Sequence, residues 1–200
     1  MKLKIKIIRF LSFFLFTQLF ISCNSGYESI DGKWVYVSYD EGAGKRIRSI
    51  NVNNKSFKII NKYYAKDNFF VFYKGRMIKN ANSKTFEVIK DGYSKDKYNV
   101  YLYRYPLFEA NPNNFQILGG LFSRDDNNIY CGTIPLNIKD ISSFKVIEKK
   151  KKIITIFTKE LIKKHPEYSF INTNKYKVVV YGKSIGESNN DTFEGITKIH

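Results

Sequence analysis

The chain has 200 residues and a formal net charge of +16, with 43% hydrophobic and 16% aromatic residues. That length suits one compact domain or one repeat array, and the two cysteines, Cys23 and Cys131, exclude a disulfide-rich scaffold. So basic a balance ordinarily points to a polyanionic partner, but Lys, Asn and Ile together supply over a third of the chain, the composition that AT-rich codons produce. The charge is therefore read as a solvated face, and nucleic acid is not expected as a partner.

Residues 1–22 read as a lipoprotein signal peptide. Lys2, Lys4, Lys6 and Arg9 precede an apolar core of 12 residues, Phe10 to Ile21, interrupted by Gln18. A membrane-spanning helix needs about 20 apolar residues, so this core is too short to anchor the chain by itself. Phe20-Ile21-Ser22-Cys23 resembles the lipobox of bacterial lipoprotein signals, with Phe20 where Leu is usual. The resemblance implies cleavage before Cys23, a diacylglyceryl thioether on its sulfur and usually a third acyl chain on its new amine. An ordinary secretory signal with a chance cysteine is the alternative. Each buried methylene contributes about 0.8 kcal/mol, so two or three chains anchor lastingly where one does not. Residues 23–33 then read as a tether, with Asn24-Ser25-Gly26 as its short polar start. No Asp follows the cysteine to suggest retention in an inner membrane. The expected location is the bacterial cell envelope, lipid-anchored and facing outward on an outer membrane or cell surface. Once the chain is processed at Cys23, no intramolecular disulfide is possible, and stability must come from burial of the aromatic residues. Cys131 reads as a small core residue.

Residues 34–147 carry a repeat. Phe57, Phe86, Phe115 and Phe144 stand 29 residues apart, and each opens a short apolar stretch: Ser-Phe-Lys-Ile-Ile, Thr-Phe-Glu-Val-Ile, Asn-Phe-Gln-Ile-Leu and Ser-Phe-Lys-Val-Ile. A fixed internal period means one structural unit stacked on copies of itself. An aromatic follows in three copies (Tyr64, Tyr93, Phe122), and then a cation and an aspartate: Lys66-Asp67, Lys95-Asp96, Arg124-Asp125. Strand-forming runs come next, at Val71–Tyr73, Val100–Tyr103 and Ile129–Cys131. The Asp-led stretches have the composition of turns, where the side chain bonds the backbone two residues on, so these aspartates read as structural rather than catalytic. Ile78, Leu107 and Leu136 close the copies, and Asn53, Asn82, Asn111 and Asp140 stand four residues before each phenylalanine. The expected fold is mainly β: tandem two- or three-stranded repeats of about 29 residues, stacked as a solenoid-like or meander array. In it the four phenylalanine rings bury against one another.

Degenerate copies are expected at both ends. Trp34–Val37 reads as a strand followed by a long loop, Asp40 to Ser49. Residues 148–200 read as an irregular C-terminal part, with a short helix before Pro166 and a degenerate terminal repeat over Lys177–Lys183 and Asn189–Ile196. Lys149 to Lys152 lead into the strand-like Ile153–Phe157, where lysines commonly block edge-to-edge association.

Lys95-Asp96-Lys97-Tyr98-Asn99-Val100-Tyr101, followed by Ala110-Asn111-Pro112-Asn113-Asn114-Phe115-Gln116-Ile117-Leu118, resembles the repeat of the DKNYY family of bacterial proteins. Residues 50–147 carry the resemblance well and the flanks faintly. It implies the repeat architecture and a surface location, and brings no active site.

No catalytic constellation, metal-ligand spacing or cofactor motif is visible. His165 and His200 are far apart, and Asp125-Asp126-Asn127-Asn128 lacks the glycine and distal glutamate of a calcium loop. Two functions remain open. One is a non-enzymatic envelope lipoprotein whose tyrosine-rich repeats bind a protein or an envelope polymer. The other is an envelope hydrolase or glycan-binding accessory with its site in the C-terminal part. Cys23, for lipid attachment, is the one site residue assigned, and the ligand-binding residues are unknown.

Overall fold

The structure, a computed structural model, describes residues 25–200. Cys23, expected to carry the lipid, and the expected signal peptide over residues 1–22 lie outside the described residues. The chain is mainly β and opens with an antiparallel sheet of β1 (Gly26–Ile30), β2 (Lys33–Asp40) and β3 (Gly44–Ser49). β1 thus begins inside the stretch expected to be a tether. The long loop expected over Asp40–Ser49 is instead a tight turn and a strand. Asp40 Oδ1 accepts the N–H groups of Gly42 and Ala43 at 3.0 and 3.2 Å, which reverses the chain at once and frees Gly44–Ser49 to pair with β2.

The repeat follows, in copies beginning at Asn53, Asn82, Asn111 and Asp140. Copy one contains β4 (Lys58–Ile59), β5 (Tyr64–Lys66), β6 (Val71–Tyr73) and β7 (Arg76–Met77). Copy two contains β8 (Glu87–Val88), β9 (Tyr93–Lys95), β10 (Val100–Leu102) and β11 (Tyr105–Pro106). Copy three contains β12 (Gln116–Gly119), β13 (Phe122–Arg124), β14 (Ile129–Cys131) and β15 (Ile134–Leu136). Each is a four-stranded antiparallel meander. The outer strands of copies one and two have two residues each, too short to leave a pattern, which is why fewer strands per copy are legible in the sequence.

Copy four is split. After β16 (Lys145–Glu148) come β17 (Ile153–Phe157), the helix α1 (Thr158–Lys164), a 3-10 turn (Pro166–Tyr168) and β18 (Val178–Gly182). Then β19 (Ile185–Glu187), β20 (Thr192–Glu194) and β21 (Thr197–Lys198) complete the sheet that β16 began, in the order β16-β19-β20-β21. The helix lies where the sequence places it. Lys177–Lys183, however, is not half of a terminal repeat: β18 pairs with β17 in a separate two-stranded ribbon inserted into copy four.

The recurring aspartates fix the copies from inside. Asp96 is 3% exposed, and its Oδ1 accepts the N–H groups of Tyr98 and Asn99 at 2.7 and 2.9 Å, closing the turn between β9 and β10. Its Oδ2 accepts the Asn82 N–H at 2.7 Å and the Tyr101 hydroxyl at 2.9 Å, tying the turn to the start of the same copy. Asp125 repeats all four bonds with Asn127, Asn128, Asn111 and Tyr130. Asp67 makes three, because Phe72 stands in the place of Tyr101. In copy four Ser188 takes over, its Oγ accepting from Asn190 and Asp191. Tyr101→Phe is therefore expected to lower stability by about 1.5 kcal/mol, the worth of a hydrogen bond to a charged acceptor. Urea unfolding reads the change, and an unaltered midpoint would show that the hydroxyl contributes nothing.

Successive copies meet through a second repeated device. The carbonyls of Tyr63, Gly92 and Leu121 accept the N–H groups of Lys74, Tyr103 and Gly132 within their own copies, each at 2.7 Å. The same carbonyls accept a tyrosine hydroxyl from the unit before: Tyr27 onto Tyr63, Tyr64 onto Gly92 and Tyr93 onto Leu121, at 3.0, 2.9 and 3.0 Å. Burial holds all three of these phenols well above the ordinary range, Tyr64 at about 12, so they remain donors at neutral pH. The cations before the turns also reach forward: Lys66 donates to the Ser83 carbonyl at 2.8 Å and Lys95 to that of Pro112 at 3.0 Å.

The four phenylalanines do not stack on each other, as the period suggests. Each packs instead on an aromatic ring of the preceding unit. Phe57 lies 4.6 Å from Trp34, Phe86 5.8 Å from Tyr64, Phe115 5.4 Å from Tyr93 and Phe144 5.1 Å from Phe122, between ring centroids. The core is accordingly a row of clusters, each shared mainly between neighbours. One joins the N-terminal sheet to copy one, the next copy one to copy two, and the last joins copies three and four to the insertion.

Candidate functional site

The insertion creates a cleft that no single copy could make. Thr133, in the turn between β14 and β15, donates its N–H to the Val180 carbonyl at 2.7 Å, and its Oγ1 accepts the Val180 N–H at 3.0 Å. These bonds seat β18 across the array, against β15 and β11. The loop leading into β18 then faces copy two. Asn172 shapes that loop by accepting the N–H groups of Asn174 and Lys175 at 2.9 and 3.2 Å.

Between the loop and copy two lies a cleft of about 250 Å³. Its cations are Lys79 from the end of copy one, Arg104 from the turn between β10 and β11, and Lys175 and Lys177 from the insertion. Tyr101, Tyr105 and Tyr176 supply aromatic surface, and Asn80, Asn99 and Asn174 supply amides. No carboxylate is among its lining residues. Among the described residues, none of the four cations forms an ion pair within 4.0 Å with Asp or Glu.

The groups are held rather than free. The Arg104 guanidinium lies over the Tyr105 ring, 4.7 Å from its centroid, and donates to the Tyr105 hydroxyl at 2.9 Å. Lys175 lies over Tyr176 at 5.1 Å, and the Tyr176 hydroxyl accepts the Glu109 N–H at 3.1 Å. A hydrogen bond with Tyr176 raises the Lys175 ammonium above its ordinary value, more than partial burial lowers it, and the Glu109 charge adds to the rise. Tyr101 is a poor base: burial first, then the Asp96 charge, raises its phenol far above neutrality. Beyond the cleft the positive charge continues across two more sheets. Burial, and then the charges of Arg76 and Arg104, lower the Arg48 guanidinium below its usual value. Such a surface can hold an anion.

The remaining residues singled out in the sequence lie elsewhere. Cys131 is fully buried among core residues, and burial pushes its thiol up to about 12. Asp125–Asn128 form the turn described above. His165 Nδ1 lies 3.3 Å from Glu167, and His200 sits beside Thr192 at the end of the last sheet. Among the described residues no three His, Cys, Asp or Glu side chains converge as metal ligands. In the basic run, Lys150 pairs with Glu148 and Glu194 at 3.6 and 3.4 Å, beside the exposed strand β17. Among the described residues no helix is long and apolar enough to cross a membrane.

No curated protein and no solved structure matches the chain. A family model does, over residues 2–105, from the N-terminal segment through most of copy two. Copies three and four lie beyond the match; copy three keeps the aspartate turn and is joined to copy two by Tyr93, and copy four keeps the phenylalanine spacing. With more than half of the chain matched and the repeat built as its residues imply, the protein belongs to the DKNYY family.

Proposed function

We propose that this is a lipid-anchored, non-catalytic binding protein of the bacterial cell envelope, facing outward and presenting its β-repeats to an envelope polymer. The observation that carries the reading is where the polar chemistry goes. The repeated aspartates and buried tyrosine hydroxyls are spent on turns and joints, whereas the cations and amides of the cleft stay open to solvent. A hydrolase in the C-terminal part finds no support of this kind: the cleft pairs no nucleophile with a base, and the hydroxyls of Tyr105 and Tyr176 are engaged by Arg104 and the Glu109 N–H. The part played by Asn174 to Val178 in the cleft supports a polymer ligand over a flat protein partner.

The membrane half of the proposal rests on Lys2 to Cys23 and is tested separately. Cells fed labelled palmitate are expected to yield a labelled, membrane-bound protein, and Cys23→Ser to yield an unlabelled, unprocessed one. Label retained in Cys23→Ser would overturn the anchor. Capture from intact envelopes should then recover polymer with the wild-type protein.

A further inference from the structure

We propose that the cleft between copy two and the inserted ribbon is a binding site for an anionic sugar unit, a ring carrying a carboxylate or a phosphate. This inference deepens the reading of the protein as a polymer binder and rests on it.

Charge comes first. Lys79, Arg104, Lys175 and Lys177 converge on one concavity with no carboxylate in its wall. Some cations elsewhere pair with carboxylates, as Lys95 does with Glu87 at 3.3 Å and Lys164 with Glu160 at 3.1 Å; what sets this group apart is that four share one concavity. Glu109 acts on Lys175 from outside the wall, and Asp96 behind Tyr101 is fully engaged by its four donors. Like charges brought together without a counter-charge cost stability, and a bound anion offsets that cost.

Shape and chemistry narrow the class. At about 250 Å³ the cleft lies just below the ~300–1,000 Å³ typical of drug-sized ligands, so it takes one ring rather than a large cofactor. The half-buried Tyr105 presents part of its ring, and Asn80, Asn99 and Asn174 present amides suited to hydroxyl groups. The Arg104 fork, pinned over Tyr105, suits a bidentate carboxylate or phosphate. Ring surface, amides and a fixed guanidinium together describe an acidic sugar better than a bare ion.

The test uses the full-length acylated protein in detergent micelles, titrated calorimetrically with three probes: trigalacturonate, glucose 6-phosphate and maltotriose. One of the two acidic probes should bind, identifying the carboxylate or the phosphate as the recognised group, while neutral maltotriose should not. Arg104→Gln and Lys177→Gln should each weaken the acidic probe by about tenfold, the loss expected for one charge-assisted contact. Lys151→Gln, which removes the same charge from the basic run, should leave binding unchanged. Far-ultraviolet dichroism confirms that each variant is folded. Equal binding of maltotriose, an equal loss in Lys151→Gln, or no binding of either acidic probe would overturn the site. So would a DNA duplex competing as well as the acidic sugar, since it would show diffuse polyanion binding. Envelope capture that persists in Arg104→Gln would refute this cleft while leaving the broader proposal standing, and wild-type protein that binds the acidic probe but captures no envelope polymer would do the reverse.

Discussion

Phe86→Ala is expected to cost about 4 kcal/mol and Phe115→Ala about half as much, although the two residues hold the same place in the repeat. Phe86 is 5% exposed and closes a cluster with Tyr64, Val71, Ile78 and Tyr101, so its removal leaves a cavity that the short strands around it cannot refill. Phe115 is half-buried at the margin of its own cluster, and water reaches the space its ring would vacate. The loss scales with the volume left empty, not with chemical identity. Urea unfolding of the two variants separates them, and equal losses would mean that copies two and three meet as tightly as copies one and two.

The second large effect concerns the seat of the insertion. Gly132→Ala is expected to lower stability by about 4 kcal/mol, combining a left-handed backbone with an overlap that nearby atoms cannot relieve. Gly132 has φ +65°, and a Cβ there would sit 1.9 Å from the Val180 carbonyl oxygen. That oxygen belongs to the backbone of β18 and already accepts the Thr133 N–H, so the whole ribbon must lift. Gly32 provides the control. Its φ is +73° but nothing lies within 4 Å, so Gly32→Ala should show only the backbone penalty of about 1–2 kcal/mol. Thermal unfolding compares the two, and amide exchange across β18 shows whether the ribbon is what lets go. Similar losses in both variants would mean that β18 does not rest on this turn.

The array was legible because its residues repeat: the phenylalanine, the cation and aspartate, and the closing aliphatic each recur at one spacing, and the turns follow from aspartate chemistry. What escaped has a common physical cause. β16 finds its partner β19 on the far side of the inserted ribbon, and no local pattern announces so distant a pairing. Asp40 turned its chain in three residues where a loop was expected, through two hydrogen bonds that composition does not disclose. The cleft depended on the inserted ribbon, since Lys175 and Lys177 meet Arg104 only after the ribbon is seated on Thr133. One signal was present: Arg48, Arg76 and Arg104 stand 28 residues apart, nearly in step with the repeat. A chain so rich in lysine hid it, because the positive charge was credited to composition before its placement was known.

The joint between units explains how such an array ends. The hydroxyl bond between units requires one oxygen atom, supplied by Tyr27, Tyr64 and Tyr93; the next residue in that series is Phe122, which has none. The Ser184 carbonyl, where the fourth hydroxyl would dock, receives only the Gly195 N–H, and Tyr168 of the insertion bonds Ile196 beside it. Gene duplication adding 29 codons upstream of this point would find a tyrosine hydroxyl to dock on, whereas a unit beyond it docks by ring packing, as Phe144 does on Phe122. A tyrosine changed to phenylalanine thus ends the hydroxyl series, and paralogues of different length are expected to carry it at their last regular unit.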